Sequence, residues 1–170
     1  MRTLACLALV AGCSGVADFD IKQPVPEQQV QGSPLPGPLA VLFPLPLDIN
    51  ISQQIKQMET GPIDSVTLSK LTLTLTATDM PSGDTDDWSF VDAIHVFVKS
   101  SKSGTTLPRV EIANVMAPGK VTTLTFHVET SVNLQPYVEE GSVVEGESSG
   151  QLPPDDVSYN GEGVFTVHPL

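Results

Sequence analysis

SVTLSKLTLTLTATD, residues 65–79, alternates apolar and hydroxyl-bearing side chains with a period of two. Leu71, Leu73, Leu75 and Ala77 fall on one face, and Thr72, Thr74, Thr76 and Thr78 on the other. That period is the period of an extended strand, whose successive side chains point to opposite faces, and it fits no helix. Val66 and Leu68 are out of phase with Leu71 onward, so the strand should bulge near Ser69-Lys70.

The same alternation recurs on both sides of this stretch. DFDIKQPV (18–25) alternates through Phe19 and Ile21, LPRVEIANV (107–115) through Val110 and Ile112, and VTTLTFHVET (121–130) through Leu124, Phe126 and Val128. WSFVDAIHVFVKS (88–100) carries apolar residues on both parities, which suits a central strand covered on two sides. Residues 133–144 have room for one or two strands, and GESSGQLPPDD (146–156) reads as a polar loop. In DVSYNGEGVFTVH (156–168), Asn160-Gly161 stands between strand-like arms and predicts a hairpin. One short helix is expected over NISQQIKQMETGP (50–62): Ile51, Ile55 and Met58 share a face, Asn50 caps it and Gly61-Pro62 stop it.

Eight or nine strands, one short helix and no βαβ alternation predict an all-β fold. The expected architecture is an antiparallel β-sandwich of immunoglobulin-like type, with a β-barrel as the alternative. At 170 residues the chain suits a single domain, assigned to residues 18–170. Twenty acidic residues against eight basic ones, a net charge of −12, exclude nucleic acid as a partner, because phosphates repel such a surface.

VQGSPLPGPLAVLFPLPLDIN (30–50) is the most apolar stretch after residue 17 and carries Pro34, Pro36, Pro38, Pro44 and Pro46. Proline at this density excludes a helix interior and a central strand. Two readings stand: an extended segment packed across the core, or an exposed contact loop presenting Leu39, Val41, Leu42, Phe43 and Leu45 to a membrane or an apolar partner.

The first residues follow another logic. Arg2 gives a positive start, Leu4 to Val10 make a seven-residue apolar run, and Val10-Ala11-Gly12-Cys13 ends it. The layout is that of an export signal and is too short to span a bilayer. Those four residues resemble the lipobox of bacterial lipoproteins. The resemblance implies a signal peptide over residues 1–12, cleavage between Gly12 and Cys13, and a diacylglyceryl group on the Cys13 sulfur, with the new amine acylated as well. Residues 13–17 would then be a short tether. Ser14, where Asp would mark inner-membrane retention, implies the outer membrane, with the domain facing the periplasm or the exterior. The leader is short and has one arginine, which leaves an upstream start codon open.

Signs of chemistry are sparse. Asp84, Asp86 and Asp87 in SGDTDDW could offer oxygen ligands to Ca²⁺, although the run enters Trp88-Ser89-Phe90 without the remainder of a loop motif. His95 and His127 would approach each other if their strands were neighbours, with Glu129 or Asp92 near, but no HxH, HExxH or CxxC is present. No catalytic residue is assigned. The expected function is a lipid-anchored, non-enzymatic structural or binding module of the cell envelope, contacting an envelope protein or surface polymer. A calcium-dependent adhesion domain and a secreted hydrolase using surface carboxylates are the alternatives.

Overall fold

The computed structural model describes residues 17–39, 42–78 and 86–170; of Leu42 only the backbone is described. Strands β1 (Phe19–Val30), β9 (Val157–Pro169), β3 (Ile63–Thr76) and β6 (Thr123–Thr125) form one sheet in that order. Strands β2 (Leu42–Phe43), β8 (Ser142–Gly150), β4 (Val91–Ser100), β5 (Val110–Met116) and β7 (His127–Val128) form the other. Every pairing is antiparallel. The expected sandwich is therefore present, and the sheets do not close into a barrel.

The connectivity is the unexpected part. The first strand lies beside the last, the second beside the last but one, the third beside the sixth and the fourth beside the fifth. This is the double Greek key of a jelly roll. An immunoglobulin domain keeps its first two strands in one sheet, whereas here β1 and β2 belong to different sheets. On one side a single run, Thr123–Val128, leaves the first sheet as β6 and enters the second as β7. Phe126 is the crossing point: its N–H donates to the Leu71 carbonyl at 3.0 Å, and Glu129 N–H then reaches the Ile112 carbonyl at 2.9 Å.

β3 carries the bulge where the phase of its leucines requires it. Its register against β9 shifts between Leu68 and Lys70, so Val66 and Leu68 before the bulge and Leu71 and Leu73 after it are all buried. β4 is the central strand of the second sheet, between β8 and β5, and Ile94, Val96 and Val98 are wholly buried. β1 is an edge strand, which is why Pro24 and Pro26 are tolerated in it; its register breaks between Val25 and Gln28.

The proline-rich stretch packs across the core. Leu39, Phe43, Leu45, Leu47, Ile49 and Ile51 are buried, while Pro46, Asp48 and Asn50 between them are exposed. The contact-loop expectation is thereby corrected for Leu39, Phe43 and Leu45. Val41 and the Leu42 side chain lie outside the description. The reason is area: burying a Leu or Phe side chain gains about 1.5–3 kcal/mol each. Glycines opposite make room for it. A Cβ on Gly163 would sit 2.9 Å from Leu47 Cδ1, and one on Gly146 would sit 2.8 Å from the Phe43 carbonyl oxygen.

Four local expectations are corrected. Asn160-Gly161 is no turn: β9 runs straight through it, and Gly161 is needed because a Cβ there would lie 2.3 Å from the Thr72 carbonyl oxygen on β3. Residues 146–150 are strand, not loop, their small side chains permitting the Phe43 backbone to pack over Gly146. Residues 135–140 form a second short helix, α2 (Gln135–Glu140), with a proline in its first turn and Tyr137 and Val138 buried. The expected helix exists as α1 (Ser52–Gln57), but Ile51 stands at its N-cap and no side chain caps it.

Candidate functional site

Val10 to Cys13, the residues that resemble a lipobox, lie outside the described residues. What the structure places is the point where the chain enters the domain. Phe19 pairs with Val167, and Asp18 Oδ2 lies 2.9 Å from His168 Nδ1. β1 therefore starts where β9 ends, and β3 starts there too, since Ile63 pairs with Pro169. Glu59 (φ 51°) and Gly61 (φ 80°) take left-handed backbone to turn the chain from α1 into β3. α1 and α2 flank a groove of about 280 Å³ with an apolar floor of Ile55, Ile63, Val66 and Val138.

Of the aspartates of SGDTDDW, Asp86 and Asp87 are among the described residues. Asp84 lies outside the described residues. Asp87 Oδ1 accepts the Ser89 N–H at 2.9 Å, capping the 3-10 turn Trp88–Phe90. Hydrogen bonding from the Ser89 side chain first, and from its backbone N–H second, holds the Asp87 carboxyl below its ordinary range. Asp86 is also engaged in an interaction. No cluster of three or more metal-ligating side chains occurs among the described residues.

His95 and His127 sit on the same sheet but not side by side. Asn114 of β5 pairs with both, His95 on one flank and His127 on the other, so two strand spacings of about 4.8 Å separate their backbones. His95 Nδ1 instead lies 3.2 Å from Glu111 Oε2, whose other oxygen accepts from Asn114 Nδ2 at 2.7 Å.

This outer face of the second sheet carries an arrangement that residue-by-residue reading missed. The Arg109 guanidinium stacks 3.5 Å above the Phe97 ring and reaches both Glu145, at 3.3 Å, and Glu147. Lys99 pairs with Glu145 from the other side, and its hydrogen bond holds that carboxyl below the usual range. The signal was present in part: His95, Phe97 and Lys99 share one parity of β4, opposite Ile94, Val96 and Val98. The partners were not legible, because Glu145 and Glu147 lie on β8, far along the chain. The array is a half-exposed charged platform.

A second cavity, of about 410 Å³, opens at the other end of the sandwich, lined by Val30, Leu39, Phe43, Pro44 and Leu152, with Gln29, Gln31 and Ser148 at its polar side. No ligand is assigned to it.

No family model matches this chain, and no curated protein matches it. Among solved structures it is similar to that of turnip yellow mosaic virus, at a TM-score of 0.25 and 14% identity, over 100% of this chain and 92% of that one. Desmodium yellow mottle tymovirus is similar at a TM-score of 0.22 and 13% identity, over 100% of this chain and 92% of that one. Similarity this slight bears on neither the site nor the function.

Proposed function

We propose that the chain is a lipid-anchored lipoprotein of the bacterial cell envelope whose β-sandwich serves as a non-enzymatic structural or binding module. One observation carries the reading: an apolar run from Leu4 to Val10 ends in Val10-Ala11-Gly12-Cys13, and the first strand begins at Phe19, six residues after the cysteine. Two or more acyl chains on Cys13 would hold the protein stably, since each buried CH₂ contributes about 0.8 kcal/mol and a single chain binds only reversibly. Ser14 favours the outer membrane. The partner is an envelope protein or a surface polymer.

Metabolic labelling with a radioactive fatty acid tests the reading. Label should enter the wild-type chain and be absent from Cys13→Ser, with the variant moving from the membrane to the soluble fraction. Equal labelling of the two would end it. No observation on the described residues favours the calcium-dependent or hydrolytic alternatives.

A further inference from the structure

We propose that the end of the sandwich where β1 begins docks on the lipid surface itself, Met58 and Leu170 entering the headgroup region; the inference rests on the lipid-anchor reading above. Three observations converge on that end. Ile51, Ile55 and Met58 lie on one helical face, and the first two are buried and half-buried, yet Met58 is 57% exposed beside the groove between α1 and α2. An apolar side chain in phase with the core, but left in water, is available to a surface outside the domain. Leu170 is 76% exposed and is held beside the α1–β3 turn by its N–H, which donates to the Pro62 carbonyl at 3.0 Å.

Exposure alone would not choose this end, because Leu35 and Met116 at the opposite end are 74% and 62% exposed. The tether chooses it. From Cys13 to Asp18 is five residues, at most about 17 Å of chain. Asp18 is fixed at this end by its 2.9 Å contact with His168. The opposite end lies the length of β9 away, 13 residues or roughly 43 Å at the rise of a strand. A lipidated Cys13 therefore keeps Met58 near the bilayer and leaves Leu35 and Met116 out of reach. Contacts too weak to bind a free protein suffice here, because the anchor makes the second attachment intramolecular.

Charge decides which lipid. Lys56 near the end of α1 stands against Glu59 on the turn, Asp64 at the start of β3 and Glu139 on α2. Such a surface is not drawn to anionic headgroups, so the contact is apolar and suits a zwitterionic surface.

Both native cysteines precede residue 14, so a thiol introduced into the processed, lipidated chain is the one that labels. Nitroxides at Met58→Cys, Leu170→Cys, Leu35→Cys and Met116→Cys, each in the full processed protein on phosphatidylcholine vesicles, read depth through collisions with oxygen and with a water-soluble nickel chelate. The expected result is an oxygen-to-nickel ratio severalfold higher at 58 and 170 than at 35 and 116. Equal ratios at all four sites, with the protein still floating with the vesicles, overturn the docking alone. A protein that fails to float overturns the anchor reading and docking together. As a further check, Met58→Asp combined with Leu170→Asp should leave flotation and the unfolding midpoint unchanged while restoring nickel access at a label on Gln57→Cys. No change in that access would count against the contact.

Discussion

Tyr159 is wholly buried, its ring stacked 5.1 Å from Phe43 and set edge-on to Trp88 at 5.5 Å, and its hydroxyl donates to the Pro44 carbonyl. That hydrogen bond ties the proline-rich segment to β9. Tyr159→Phe should cost about 1–2 kcal/mol, because the Pro44 carbonyl is left without its partner. For a domain of this size, that lowers the thermal midpoint by roughly 2–8 °C. Burial also pushes the phenol well above its ordinary value of 10.0. The folded state then keeps a proton that the unfolded chain releases above about pH 10, so stability falls as pH rises past that point, by up to about 1.4 kcal/mol per pH unit. Below pH 10 the contribution is fully present. Denaturant melts above that pH should show the slope in the wild type and a flatter one in Tyr159→Phe. Gly150 is constrained differently. Its φ is +145°, and a Cβ would lie 2.2 Å from the Phe90 carbonyl oxygen. Gly150→Ala should destabilise by about 2–3 kcal/mol, measured by urea unfolding.

Among the elements, the alternation of β3 was legible down to its bulge, because pleat and phase are local properties of the chain. The two-sided apolar content of β4 announced its central place for the same reason. The failures share a cause: each depended on what lay opposite. Gly161 looks like a turn residue until β3 is found pressed against it, and the Gly146 region looks like a loop until Phe43 lies across it. Leu39, Phe43 and Leu45 could equally have been a contact loop, since hydrophobicity does not say which surface will cover it. β1 shows how an edge is guarded. Pro24 and Pro26 donate no backbone hydrogen bond, and the register break beyond Val25 twists the strand. Replacing both prolines with threonine should open that edge to a second copy. Sedimentation velocity should then show concentration-dependent self-association that the wild type lacks.

Across the whole molecule, a net charge of −12 on 170 residues opposes compaction. Local ion pairs, among them Lys99–Glu145 and Arg109 with Glu145 and Glu147 on the second sheet and Lys22–Glu162 on the first, relieve this only in part. Screening shortens the reach of the repulsion from about 30 Å at 0.01 M salt to about 8 Å at 0.15 M. The thermal midpoint should accordingly rise over that range of sodium chloride; a falling midpoint would mean that the ion pairs outweigh the repulsion. The platform around Arg109 was legible in the sequence only as the shared parity of His95, Phe97 and Lys99 on β4, because its other members come from β5's leading edge and β8.

Residues 65–79 and their counterparts determined by themselves that the chain would be extended, antiparallel and layered, because a two-residue period is written into neighbouring side chains. The proposed lipobox is equally local, four consecutive residues behind an apolar run. Only the tertiary structure decided the jelly-roll order, the crossing at Phe126, the burial of the proline-rich segment and the end at which the chain enters. Each of those is a choice of partner among distant segments, made by shared burial and close approach at glycines, and no short-range pattern records it.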